Sequence, residues 1–220
     1  SIAGTTYPVP QPFIVLATQN PVESEGVYPL PEAQRDRFLL KVDVPYPRGN
    51  EEFEILRRMS VDPPEASPIL DPDLVRSLQR QASEVFVHNL VAEYVVRLVL
   101  ATRTPAEFNL PDLTSVIQIG CSPRATLGLV AAARALALIH GRDYVLPTDV
   151  QAVAKNVMAH RLTLGFDAIA DNISPAQVVE RIVAMVPPPT PVWQGGGQQG
   201  SQQQPAPHGQ QSQQQRAPQQ

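Results

Sequence analysis

The stretch from Ser122 to His140 constrains the fold most. It is dominated by alanine and leucine, the strongest helix formers. Ser122 suits an N-cap, Pro123 suits the first helical position, and Gly141 follows as a stop signal. A helix this long and this rich in small apolar residues has to be buried against other helices, and the flanking sequence offers them. Asn50 can cap a helix through Glu51–Arg58, acidic first and basic last, as the helix dipole favours. Pro63, Pro64 and Pro68 interrupt. Asp71 can cap the next helix, with Leu74, Val75 and Leu78 at helical spacing, and Leu90, Tyr94, Val95, Leu98 and Val99 outline another. Thr148-Asp149-Val150-Gln151 and Ser174-Pro175-Ala176-Gln177 both fit the capping-box pattern. Residues 48–186 therefore read as a helical domain.

The first 47 residues read differently. Phe13-Ile14-Val15-Leu16-Ala17 is continuously apolar and predicts a strand buried on both faces of a parallel sheet. Phe38 to Val44 predicts a second strand, closed by Pro45 and Pro47. Pro31 to Asp36 suits a short helix between them. Two strands are too few for a stable sheet, so this region resembles the end of a larger α/β domain. Residues 187–220 predict a disordered tail. Pro187-Pro188-Pro189 and Pro191 form a stiff lead-in, and 13 of the 27 residues from Gln194 to Gln220 are glutamine. Such a segment cannot bury enough apolar surface to offset its chain entropy. A self-associating glutamine-rich segment is the alternative.

Composition narrows the function. The 220 residues carry a net charge of −4 and are 43% hydrophobic. Nucleic-acid or anionic-membrane coating needs a basic face, which this balance opposes. The single cysteine, Cys121, excludes an internal disulfide framework and a cysteine-ligated zinc site; it reads as a small packing residue. His88, His140, His160 and His208 lack metal-ligand spacing. No signal peptide is legible at Ser1–Thr6, and no apolar run reaches about 18 residues. A cytoplasmic protein without membrane insertion is the expectation.

Three places could carry chemistry. Ala17-Thr18-Gln19-Asn20-Pro21 turns polar at the carboxyl end of the first expected strand, where open α/β sheets bind ligands. The Asn20 amide there can orient a water or a phosphate oxygen, or Asn20-Pro21 merely starts a turn. Arg35-Asp36-Arg37 stands just before the second expected strand. A guanidinium there could grip phosphate, or Asp36 and Arg37 form a surface pair. Arg124 falls in the first turn of the long helix, where the dipole is already positive. That placement is unfavourable unless an anion docks beside it. One absence matters as much: neither Lys41 nor Lys155 follows a glycine, so no P-loop is present, and no apolar run ends in an Asp-Glu pair.

Phe13 to Pro21, Glu25-Gly26-Val27-Tyr28-Pro29-Leu30-Pro31-Glu32-Ala33-Gln34 and Asp36-Arg37-Phe38 together resemble MoxR-type AAA+ ATPases. Gly120-Cys121-Ser122-Pro123-Arg124-Ala125, Arg134 to Ala137 and Gly141 to Val145 resemble that family's helical lid. The likeness runs through residues 2–165 in order. It implies an α/β plus all-α architecture: the terminal part of an AAA+ parallel-sheet nucleotide domain (1–47), a lid domain (48–186) and the tail (187–220).

The resemblance also implies roles. Asn20 becomes the sensor-1 residue, Arg37 the arginine finger that reaches a neighbouring subunit's nucleotide, and Arg124 the sensor-2 arginine that couples phosphate state to lid angle. Arg35 stands where the family usually carries an apolar residue; it either competes with Arg37 for the finger role or is a surface substitution. The implied assembly is a ring of AAA+ subunits, often hexameric. It is chaperone-like and works with von Willebrand factor A-domain proteins. ATP and Mg²⁺ are its implied ligands, both needing Walker A and Walker B motifs that lie N-terminal to this point in the family. The chain is thus expected to be the C-terminal portion of such an ATPase, inactive alone. The alternative is a non-catalytic helical adaptor that regulates intact rings.

Overall fold

The computed structural model describes residues 4–19 and 30–190. The described chain up to Pro189 belongs to one compact unit, and the tail expected over 187–220 lies outside the described residues beyond Thr190. Within that unit, α1 (Glu32–Arg35) is a single turn, followed by α2 (Gly49–Met59), α3 (Pro72–Glu84) and α4 (Asn89–Ala101). A 3₁₀ turn (Pro105–Phe108) leads into α5 (Leu113–Val116) and the short strand β1 (Ile117–Ile119). Then come α6 (Pro123–Ile139), α7 (Pro147–Met158) and a 3₁₀ turn (Ala159–Arg161). Strand β2 (Thr163–Leu164), α8 (Phe166–Ala170) and α9 (Pro175–Met185) complete the order.

The core follows from helical periodicity. On α6, Ala125, Gly128, Leu129, Ala132 and Ala133 are buried, at i, i+3, i+4, i+7 and i+8. Small side chains let α7 approach closely: a Cβ added to Gly128 would stand 3.2 Å from Val157 and 3.4 Å from Leu39. Val91, Tyr94, Val95, Leu98 and Val99 repeat the spacing on α4. Val178, Val179 and Ile182 face inward from α9. Each large side chain buried this way contributes roughly 1.5–3 kcal/mol. The Tyr94 hydroxyl, within this core, accepts a hydrogen bond from Gln151 at 3.2 Å.

Most helix boundaries fall where capping chemistry sets them. Asp71 caps α3 through Leu74 N–H at 2.7 Å. Ser122 caps α6, and Gly141 ends it in the left-handed region at φ 69°. Ser174 and Gln177 form the expected capping box of α9. Two starts differ. Helix α2 begins at Gly49 rather than after Asn50, because Glu51 accepts from Arg48 N–H at 2.8 Å and closes the turn one residue earlier. Helix α7 begins at Pro147, with Leu146 as its N-cap rather than Thr148. There Asp149 accepts from Leu146 N–H at 2.8 Å, and Pro147 occupies the first position, where no N–H is needed.

The expected parallel strands are the main correction. Among the described residues, the sheet is β1 paired antiparallel with β2, Ile117 opposite Leu164. Phe13–Ala17 is not a strand, and Ile14 and Leu16 are 78% and 85% exposed. A strand needs a neighbour for its N–H and C=O groups, and no described segment pairs with this one. Phe38–Val44 is not a strand either, because side chains of the helical domain take its backbone groups. The carbonyls of Phe38, Leu39 and Lys41 accept from Arg161 and Asn156 rather than from a sheet neighbour.

Candidate functional site

The start of α6 brings together groups far apart in sequence. Ser122 Oγ accepts from Arg124 N–H at 3.2 Å and donates to the Asp36 carboxylate, 2.8 and 2.9 Å from its two oxygens. Arg124 Nη1 donates to Asp36 Oδ2 at 2.7 Å. From the turn after α7, Arg161 Nε lies 3.3 Å from Asp36 Oδ1. One carboxylate thus gathers a serine and two arginines from two elements.

Arg161 is the buried anchor of this cluster. Its Nη2 donates to Phe38 O at 2.6 Å and its Nη1 to Leu39 O at 3.2 Å and to Val157 O. His160 Nε2 lies 3.0 Å from the same Phe38 carbonyl, which assigns the proton to Nε2. Lys41 N–H donates to Asn156 O at 2.9 Å, and Asn156 Nδ2 donates back to Lys41 O at 2.9 Å. Glu32 accepts from Thr163 Oγ1 at 2.6 Å. The segment that carries Arg37 is therefore stitched along its length to α7 and the turn beyond it.

The electrostatics follow. Burial by itself pushes the Asp36 carboxyl up, but the bonds from Arg124 and Ser122 and the Arg161 charge together outweigh it and hold the pKa below its usual value. Burial lowers the pKa of His160, so the neutral ring is favoured. Burial pushes the Cys121 thiol up to about 12. With its Sγ 3.6 Å from Met158 O, Cys121 is the packing residue its sequence context suggests.

The arginines separate by exposure. Arg37 is exposed, and its side chain makes no hydrogen bond or ion pair among the described residues. The surface pair between Asp36 and Arg37 does not form, because Asp36 turns inward to Ser122, Arg124 and Arg161. Arg35 is half-buried, with its Nε enclosed and unpartnered. It lines a cavity of about 170 Å³ with Asp36, Ser122, His160 and Arg161. Arg124 keeps 55% of its side chain exposed, and only Nη1 is engaged. The anion that its unfavourable helix position called for is Asp36 itself, 88 residues upstream. Sequence reasoning missed Asp36 and Arg161 as site residues. The available signal was an acid between two arginines, with a lone arginine in a first turn elsewhere. Asn20 lies outside the described residues.

Residues 113–182 match the model of the AAA lid domain, and residues 1–40 match that of the ATPase family associated with various cellular activities. The chain is 54% identical over 186 residues to chaperone MoxR1 of Mycobacterium tuberculosis, covering 84% of this chain and 49% of that protein. It belongs to the MoxR family of AAA+ ATPases. Protein MoxR of Paracoccus denitrificans is 33% identical over 194 residues, covering 80% of this chain and 56% of the relative. A crystal structure of a Cytophaga hutchinsonii protein named as an ATPase superimposes with a TM-score of 0.81 at 41% identity. That match covers 86% of this chain and 58% of the other. The chain spans about half the length of the curated relatives it matches.

Tested against the ligands of a MoxR-type ATPase, the described residues fit one end only. Exposed guanidinium donors on Arg37 and Arg124 suit phosphate oxygens. Among the described residues, no group of three or more His, Cys, Asp or Glu side chains is placed to hold a metal ion. The sequence has no P-loop lysine for the phosphates. No described helix is long and apolar enough to cross a membrane.

Proposed function

We propose that this chain supplies the arginine finger and the lid of a MoxR-type ATPase ring, in which ATP hydrolysis drives chaperone-like remodelling or maturation of partner proteins. One observation carries the reading. Arg37 stands exposed and unpaired beside Asp36, while Asp36 holds the lid's Arg124 at 2.7 Å. One guanidinium, that of Arg124, is held on the carboxylate with donors to spare, and that of Arg37 is free on the next residue, so both can receive an anion arriving from outside.

The roles divide by exposure. Arg37 reaches the γ-phosphate bound to a neighbouring subunit and neutralises charge as it develops there. A finger supplied in trans is worth about 10³–10⁵ in rate. Arg124, at the first turn of α6, couples the phosphate state to the lid. Asn20 orients the attacking water. Mg²⁺ would supply charge neutralisation at the phosphates, and segments bearing Walker A and Walker B would hold it. The partners are other AAA+ subunits and a von Willebrand factor A-domain protein.

The test starts from the native assembly. An antibody against α6 and α7 recovers it from the source cells, and ATP hydrolysis is measured with Arg37 intact and with Arg37→Ala. The expected result is an assembly larger than 24 kDa whose hydrolysis falls by about 10³-fold or more on substitution. Unchanged hydrolysis in Arg37→Ala overturns the finger assignment. A 24 kDa species that inhibits or stimulates an intact relative without hydrolysing ATP favours the adaptor reading instead.

A further inference from the structure

We propose that Asp36 is a positioning residue: it pre-orients the Arg124 guanidinium, so that this arginine meets an arriving phosphate group already aimed. The inference rests on the functional reading above and adds a residue to it.

The bonding pattern is the first argument. Asp36 presents two oxygens and both are used from the lid side: Oδ1 faces Arg161 and Ser122, and Oδ2 takes Arg124 and Ser122. Its side chain is 16% exposed, while that of Arg161 is 2% exposed. Arg161 is in turn bonded to the Phe38 and Leu39 carbonyls. The carboxylate therefore cannot swing away without breaking a buried network, and it is a rigid point from which to hold a mobile side chain.

The second argument concerns Arg124. Holding a half-exposed arginine in one rotamer contributes little stability, because solvent screens its side of the pair and the side chain loses freedom. Stability alone therefore gives a weak reason for Asp36 to engage it. Pre-organisation gives a stronger one. Asp36 takes Nη1 and leaves Nε and Nη2 without a partner among the described residues, two donors in a fixed orientation. An arginine already aimed loses less freedom when the phosphate arrives.

The third argument is the backbone. Arg37 directly follows Asp36, and the chain on either side is fastened to the lid through Glu32–Thr163, Phe38–Arg161 and Lys41–Asn156. Displacing α7 and the turn after it therefore displaces the Arg37 segment with them.

Two measurements test this. In the native assembly, Asp36→Asn keeps the size and the hydrogen bond to Ser122 but loses the charge. It is expected to lower kcat by about 10–100-fold with KM little changed. Asp36→Glu is expected to recover part of the loss. Asp149→Asn, which weakens the fold at the far end of α6, serves as the stability control. If kcat in Asp36→Asn falls no further than in Asp149→Asn at equal loss of melting temperature, the role is structural and the inference fails. The second measurement needs no activity. In the isolated full chain, NMR of the arginine guanidinium groups reads rotation about the Arg124 Nε–Cζ bond. Slow rotation with separate Nη signals is expected, collapsing to an averaged signal in Asp36→Asn. Averaged Nη signals in the unsubstituted chain overturn the inference even if Arg37→Ala confirms the finger. Held Nη signals together with a null effect of Arg37→Ala would instead sink the functional reading and leave the Asp36–Arg124 geometry standing.

Discussion

Arg142 grips Asp149 through two parallel hydrogen bonds, Nη2 to Oδ1 at 2.6 Å and Nη1 to Oδ2 at 2.7 Å. The pair joins the turn after α6 to the first turn of α7. Asp149 is almost fully buried and also accepts from Leu146 N–H. Burial raises its pKa, but the Arg142 bonds and the Leu146 bond outweigh that and hold it below the usual carboxylate range. Asp149→Ala removes the N-terminal bond of α7, a loss of about 1 kcal/mol by itself. It also leaves Arg142 facing a vacant, enclosed position. A drop of several degrees in melting temperature is expected by calorimetry, larger than for Lys155→Ala, whose 3.7 Å pair with Glu180 is exposed. Equal melting temperatures would contradict the assignment.

Gly120 permits the approach of the α6 entry to the end of α4. A Cβ built there would lie 2.5 Å from the Thr102 carbonyl oxygen and 2.8 Å from its carbon. Both are backbone atoms in a buried turn and cannot rotate aside. Thr102 Oγ1 also accepts from Cys121 N–H at 2.9 Å, which fixes the two segments together. Gly120→Ala is expected to destabilise by about 1–3 kcal/mol in urea titration. Gly49→Ala, with nothing within 4 Å of the added carbon, is the neutral comparison.

His160 makes stability depend on pH near neutrality. Its folded pKa is lowered by burial, so below the unfolded value of about 6.5 the unfolded chain binds more protons than the folded one. The stabilisation is present above that value and is lost as pH falls through it towards the folded pKa. Melting temperature is expected to decline from pH 7.5 to 5.5. His160→Gln, which keeps a donor for Phe38 O, is expected to flatten that decline. An unchanged slope in the variant would show that another group titrates. Asp36 and Asp149 act lower: their depressed pKa values give stability that is present above about pH 4 and is lost as pH falls through the folded values.

Arg37 offers a separation of stability from function. Its exposed side chain has no partner among the described residues, so Arg37→Ala is expected to change the melting temperature by no more than about 0.5 kcal/mol equivalent. Under the proposed finger role, the same substitution is expected to abolish most ATP hydrolysis by the native assembly. Arg161→Ala, which strips the Asp36 carboxylate and the Phe38 carbonyl of a buried donor, is expected to do the reverse first and unfold the segment. A melting scan beside a hydrolysis assay distinguishes the two behaviours.

The long helices were legible in the sequence, whereas the short α5 and α8 were not. The signals of the long helices are local: Ser122-Pro123 and Gly141 around α6, Asp71 before α3, Ser174 and Gln177 at α9, and buried positions at i, i+3 and i+4. Each acts within one or two turns, so reading along the chain finds them. The tertiary structure decided what happens at residues 36–44. Apolar runs there satisfy the pattern of a strand, but a strand exists only if a neighbour supplies the other half of each hydrogen bond. Arg161, Asn156 and His160 claim those backbone groups instead. The site has the same division. Arg37 and Arg124 stand out as candidates in the sequence, because guanidinium at those positions is chemically telling. Asp36 does not, because its role depends on a serine 86 residues away and an arginine 88 residues away. Nothing in the spacing of the chain encodes that meeting; only the packing of α6 and α7 against the segment does.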